Sequence, residues 1–383
     1  MSMEWLKNKK GGSVMHFHPK DTYDAFKPSN KEKNAHLAYH INFNVMMEDS
    51  KTRKFKPKKI EPIHTVHSDL KQLAKTIESN RSYVLASASD FLSVRQLQGE
   101  IESRMLIGLG SGHVNETALT IHPVYGIPYV PASSLKGLVR NWFIHAYCDG
   151  DEKRLEDHSL ATMIFGTNTQ RGVVQFYDIY LYHGLQIEGD IIAVHFPKYY
   201  SGKLPATDDQ NVNPVQLRAA KVKKANIFLS MAKNHIDGEL IESQILDAAV
   251  MWTAQALKEF GIGSKTSLGY GVFSNVRDVT DTEFIKVLKG WKEEVEKENI
   301  RKKEIEVNNM SPEEQLLYYI NQLTERPEDI EKSKASLFEK VVESKSKKAA
   351  QALKEYWERT GQWKVKKGKK QFIKVSKIND LLK

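Results

Sequence analysis

Four glycines, Gly261, Gly263, Gly269 and Gly271, bracket Lys265, Thr266 and Ser267 in the segment GIGSKTSLGYGVFSN. Glycine enters φ > 0 without a Cβ penalty and lets a partner approach the backbone, while Lys265 supplies the only full charge. Such a loop suits phosphate. It is not the phosphate loop of a nucleotide triphosphatase, GxxxxGK[ST], which joins a strand to the helix after it. Here Ser264 precedes the lysine, and the segment follows an amphipathic run, Glu239 to Phe260, that reads as a helix.

A second candidate lies at Gly126 to Arg140, GIPYVPASSLKGLVR. Ser133 or Ser134 is placed to cap a helix whose N–H groups and positive dipole end favour an anion. Lys136 and Arg140 add charge, although Arg140 equally fits a solvated helix surface. Evidence for catalysis is thinner. His113, His122 and His195 are isolated histidines, and the best of them stands in HVNE, His113 to Glu116. A metal-independent ribonuclease pairs such a histidine with Lys or Tyr, but the sequence fixes no second group beside any of the three. Ser134 and Lys136 stand two apart and make no SxxK pair. No HExxH, paired-aspartate or Cys-His spacing implies a metal, and no cofactor is indicated.

These residues need a scaffold. At 383 residues the chain allows two to three domains, and its net charge of +9 points to an anionic partner. The single cysteine, Cys148, excludes an internal disulfide and suits packing at a helix end in a reducing cytoplasm. No apolar run reaches the length of a membrane span, and MSMEWLKNKKGG lacks the apolar stretch of a signal peptide, so a cytoplasmic protein is expected.

The periodicities predict strand RMLIGLG, helix SSLKGLVRNWFIHAY, strands VVQFYDIYLY, DIIAVHF and NIFLSMA, helix ELIESQILDAAVMWTAQALKEF and strand YGVFSNV. This is an α+β class with a ferredoxin-like core, helices on one sheet face and the other face free for RNA, as in RNA-recognition motifs. Trp142, Phe143, Met251, Trp252 and Leu257 fall at helical spacing and are expected in the core. Residues 1–100 read as a basic, irregular arm with a leading helix at Ser68 to Arg81, residues 101–280 as the core domain, and residues 281–383 as a charged extension of two or three helices. Ser311-Pro312 starts one helix and Gly361 ends another. The last segment, GQWKVKKGKKQFIKVSKINDLLK, mixes lysines with Trp363 and Phe372, a composition of RNA contacts or of a solvated terminus.

Four stretches between about Ile101 and Arg277, under half of the chain, together resemble the RAMP superfamily of CRISPR RNA-binding proteins. Gly126 to Arg140 is similar to its Pro-Gly-Ser-Ser helix start, with Ala132 where glycine is common. Phe165-Gly166, Gly172 and VVQFYDIYLY resemble its FG-to-strand transition, and the loop GxGxKTxxGYG resembles its C-terminal signature. His195 to Met231 resembles the tyrosine-pair and Asn-Pro region of the sixth RAMP subunit of type III-B (Cmr) effector complexes.

The resemblance implies a non-catalytic backbone subunit that binds CRISPR guide RNA near its 3′ part and positions target RNA. It implies partnership with other Cmr RAMP subunits and the small helical subunit, and no membrane. The RNA-binding residues expected are Ser133, Ser134, Lys136, Arg140, Lys198, Tyr199, Tyr200, Gly261, Gly263, Lys265, Thr266, Ser267, Gly269 and Gly271. Two other readings stay open: a metal-independent RAMP endoribonuclease that processes repeat RNA, and an assembly protein that binds only other subunits.

Overall fold

The structure is a computed structural model that describes residues 6–7, 13–15, 36–42, 46–48, 55–57, 62–111, 117–194, 197–203, 205, 207, 213–233 and 242–383. It divides into two compact units, Met1–Trp291 and Lys292–Lys383. Most of the basic run Lys51 to Lys59, the HVNE stretch and His195 lie outside the described residues.

In the first unit, short strands β1 (Leu6–Lys7), β2 (Ser13–Met15), β3 (Met46–Glu48) and β4 (Phe55–Pro57) pair antiparallel. Helices α1 (Leu37–Asn42) and α2 (Ser68–Ser87) follow β2 and β4 respectively. Next come β5 (Leu92–Ile101), β6 (Arg104–Met105), β7 (Tyr129–Val130), α3 (Ala132–Tyr147), α4 (Ser159–Phe165), β8 (Val174–Phe176), β9 (Ile179–Tyr180) and β10 (Gln186–Val194). The unit continues with α5 (Pro197–Tyr200), β11 (Asn213–Lys221), β12 (Lys224–Ala232), α6 (Glu242–Glu259) and β13 (Phe273–Asp278).

The main sheet has the order β13-β5-β12-β8, with every pair antiparallel. With α3 and α6 as its crossovers, it follows the β-α-β-β-α-β succession expected for a ferredoxin-like core. The first core strand, however, is β5 rather than RMLIGLG. Arg104 and Met105 instead edge a second sheet, β10-β11-β6. VVQFYDIYLY is not one strand: Tyr177 and Asp178 break it into β8 and β9, which enter different sheets.

One face of the main sheet packs α3 and α6 through Leu135, Val139, Phe143, Ile245, Ala249 and Trp252 against Leu97, Ile227 and Leu229. Trp142 and Leu257 are buried as expected, but Met251 is half-exposed, because it lies outside the stripe carrying Ile245, Ala249 and Trp252. Cys148 is buried as the C-cap of α3.

The opposite face is not free for RNA. Leu85 and Ala86 of α2, with Phe284, cover Val94 and Phe228, and Val287, Leu288 and Trp291 pack beside them. Glu78 is buried near Asn226 of β12; burial pushes its carboxyl above the usual range, with the Arg81 cation opposing.

Helix α7 (Ile285–Asn309) is charged on nearly every side and buries only Val307. The second unit then holds α8 (Pro312–Asn321), α9 (Pro327–Lys332), α10 (Phe338–Ser344), α11 (Lys347–Arg359) and α12 (Lys370–Leu382), more helices than the two or three expected. Their apolar faces meet around fully buried Trp357, with Leu316, Ile320, Phe338, Val341, Leu353 and Ile378. A Ser311–Glu314 capping box starts α8, and Gly361, at φ 73°, stands just beyond α11.

Candidate nucleic-acid interface

The glycine loop takes its shape from backbone contacts. After α6, the Gly261 N–H donates to the Ala256 carbonyl (3.2 Å), and the Ile262 N–H donates to the Gly271 carbonyl (2.9 Å). The chain leaving β6 staples the loop from outside: Ser264 N–H reaches the Leu106 carbonyl (2.7 Å) and Gly271 N–H the Arg104 carbonyl (2.9 Å). Lys265 is left-handed at φ 61°, a conformation uncommon for a residue with a Cβ, and opens a short 3₁₀ turn over Thr266–Leu268. Its side chain is exposed and has no carboxylate partner among the described residues.

Tyr270 locks the loop to the second sheet. Its hydroxyl donates to Asp190, which also pairs with Arg104 at 2.9 Å. Burial pushes the Tyr270 phenol up, and the bond to Asp190 adds to this. For Asp190 burial works upward, but hydrogen bonds from Tyr270 and the Ile191 N–H, with Arg104, hold its carboxyl below the usual range. Sequence reading passed over this tyrosine, although its place between two glycines was the available signal.

The loop faces α3 across a cleft of about 470 Å³, lined by Ser134, Gly137, Leu138 and Asn141 on one side and Gly261, Ile262, Gly263, Ser264 and Thr266 on the other. Ile107, Gly108, Val130 and Phe260 complete it. Of the expected binding residues, Ser134, Gly261, Gly263 and Thr266 therefore come together. Ser133, Lys136, Arg140, Lys265, Ser267, Gly269 and Gly271 belong to the same two segments but do not line the cleft. Lys198, Tyr199 and Tyr200 lie apart on α5, between the paired strands β10 and β11; the two tyrosine rings are exposed, 5.6 Å apart edge to face.

The serine caps are not formed. Pro131 is the N-cap of α3, and the Ala132 N–H donates instead to the Asp178 carboxylate at 2.7 Å. With Pro131 fixing the start one residue before Ala132, Ser133 falls inside the helix, and a carboxylate already meets its positive end. Asp178→Asn keeps an acceptor and removes the charge, so a stability loss of at most about 1 kcal/mol is expected in thermal melting.

Lys136 lies beside two other cations. Partial burial, then Arg171 and Arg140, lower its pKa; Arg140 pairs with Glu152 at 2.6 Å, while Arg171 has only Gln175, at 3.4 Å, among the described residues. Arg171 was missed from sequence. It stands directly before Gly172 in the tight return from α4, where a Cβ on Gly172 would lie 2.4 Å from the Ile164 carbonyl oxygen.

His122 is structural. Its Nδ1 accepts the N–H groups of Val124 (3.3 Å) and Tyr125 (3.2 Å), and its ring stacks on Tyr125 at 4.2 Å. Among the described residues, no cluster of His, Cys, Asp and Glu is placed to hold a metal ion, and no helix is long and apolar enough to cross a membrane.

Comparison with known proteins matches residues 99–274 to the RAMP superfamily model. The chain is similar to the CRISPR system Cmr subunit Cmr6 of Pyrococcus furiosus, 27% identical over 270 residues, covering 55% of this chain and 77% of that protein. It is also similar to the Cmr6 subunit of Saccharolobus solfataricus, 22% identical over 284 residues, covering 70% of this chain and 84% of that one. Among solved structures, a chain in the type III-B Cmr-beta complex bound to cognate target RNA aligns with a TM-score of 0.42 and 17% identity, over 67% of this chain and 87% of that one. Cmr6 of Pyrococcus furiosus aligns with a TM-score of 0.32 and 22% identity, over 48% of this chain and 97% of that one.

Proposed function

Because residues 99–274 carry a RAMP superfamily domain, we propose that the protein is a Cmr6-like, non-catalytic subunit of a type III-B CRISPR ribonucleoprotein. It holds guide RNA near its 3′ part and positions the paired target RNA beside other RAMP subunits and the small helical subunit. The observation that carries the RNA contact is the cleft between α3 and the glycine loop. Its walls carry Ser134, Asn141, Ser264 and Thr266 among glycines and apolar side chains, with Lys136, Arg171 and Lys265 on the segments that form or flank it. The hydroxyls of Ser134, Ser264 and Thr266 and the Asn141 amide, with the nearby cations, suit a strand's phosphates, and base pairing supplies the specificity. RNA cleavage falls to another subunit. Lys198, Tyr199 and Tyr200 form a second contact on α5.

Anisotropy of labelled single-stranded RNA, titrated with the full chain at about 50 to 300 mM salt, tests the reading. Six phosphate contacts give a log–log slope of roughly −4. Lys136→Ala and Lys265→Ala are each expected to flatten it by about 0.7 and to weaken RNA of any sequence alike. Unchanged slopes in both would move the protein to the class that binds only other subunits. Metal-free cleavage of repeat RNA would instead make it a processing enzyme.

A further inference from the structure

Seven lysines and no acidic residue occupy Lys364 to Lys377. In the second unit this run forms the turn after α11 and the start of α12. Lys364, Lys366, Lys367, Lys369 and Lys370 are all exposed, and among the described residues none has a carboxylate partner. The nearest acidic group along α12, Asp380, is taken by Lys383 at 3.0 Å. Two more cations are held by aromatic rings instead of acids: Lys374 lies 5.4 Å from the Phe338 ring centre, and Lys354 lies 5.5 Å from that of Trp363.

The charge sits where the fold least favours it. Lys369 is the N-cap of α12, no side chain caps that end, and its first turn holds no acidic residue. Lysines there meet the positive end of the helix dipole as well as one another. A polyanion laid across the turn relieves both repulsions.

From this arrangement we propose that the basic turn and α12 start form a further, sequence-independent RNA-binding surface, outside the RAMP domain. The proposal rests on the RNA-binding reading above. A lipid surface fits poorly, because an amphipathic helix that enters a membrane needs a free apolar face. Most of the apolar face of α12 is already spent: Val375 and Ile378 are buried in the unit's core, with Leu381 and Leu382 packed against it, and Ile373 is left exposed. Trp363 likewise packs 6.4 Å from Trp357 and Phe372 is only partly exposed, so the surface offers chiefly phosphate contacts.

The test is a full-length variant with Lys364, Lys366, Lys367, Lys369 and Lys370 all changed to Gln, measured in the same RNA titration beside Lys136→Ala and Lys265→Ala. Its melting temperature should match or slightly exceed that of the native chain, showing that the unit folds. The expected result is RNA binding weakened roughly tenfold, with the salt slope flattened by between about one and two. Unchanged affinity and slope, with the Lys136 and Lys265 variants still weakened, would overturn this surface and leave the first reading standing. Loss of binding to phosphatidylserine vesicles with RNA affinity unchanged would overturn it in favour of a membrane contact. Absence of RNA binding by the native chain would remove both.

Discussion

Gly271→Ala is expected to lower the melting temperature of the first unit by roughly 6 to 12 °C, from a loss of about 3 kcal/mol. Gly271 has φ 67°, and a Cβ there would lie 2.0 Å from the Ile262 carbonyl oxygen. Relief requires the Gly271 backbone to move, and that backbone both donates to Arg104 and accepts from Ile262. The substitution therefore combines left-handed strain with the loss of the bonds that fasten the loop. Gly269→Ala separates the two effects: its φ is 86°, but nothing lies within 4 Å of its Cβ position. That variant should lose only the left-handed penalty, about 1 kcal/mol. Differential scanning fluorimetry on both gives the answer; equal shifts would mean that the loop is not stapled as described.

The second large effect concerns binding rather than folding. Gly137 lies mid-helix on α3, lines the cleft and has nothing within 4 Å of its Cβ position. Glutamate is a better helix former than glycine, by roughly 0.5 to 1 kcal/mol, so Gly137→Glu should melt no lower than the native chain. It would nevertheless put a side chain and a negative charge into the space assigned to phosphate. Obstruction and like-charge repulsion together are expected to cost about 2 kcal/mol, or roughly thirtyfold in RNA affinity. Gly137→Ala should raise stability and change affinity little. If the glutamate variant binds RNA as the native chain does, the strand lies elsewhere.

Much of this architecture was readable because its signals are local. The helical periods of α3 and α6 mark the buried face around Trp142, Phe143 and Trp252, and the glycines around Lys265 mark a loop with left-handed positions. Tertiary effects were not readable in the same way. Arg95, Gln96 and Gln98 interrupt the apolar pattern of β5, yet Arg95 pairs with Asp247 and Gln98 bonds Asn226 on the adjacent strand. In β11, Arg218 and two alanines hid a nine-residue strand. Ser133 carried every local mark of a cap, but the acceptor comes from Asp178, distant in sequence. Arg171 meets Lys136 only because the return from α4 brings them together.

The covered face of the main sheet bears on how the proposed RNA ligand would be read. In a sheet left open, aromatic rings hold splayed bases while polar groups read their edges. Here α2 and the residues around Phe284 occupy that place, and the cleft beside α3 holds one aromatic side chain, Phe260, with Ser134, Asn141, Ser264 and Thr266 among glycines and aliphatic residues. The covered sheet face therefore offers no platform on which bases could be read. For the proposed role that loss is useful: guides differ from one another in every base, and any preference written into the protein would make some guides sit badly.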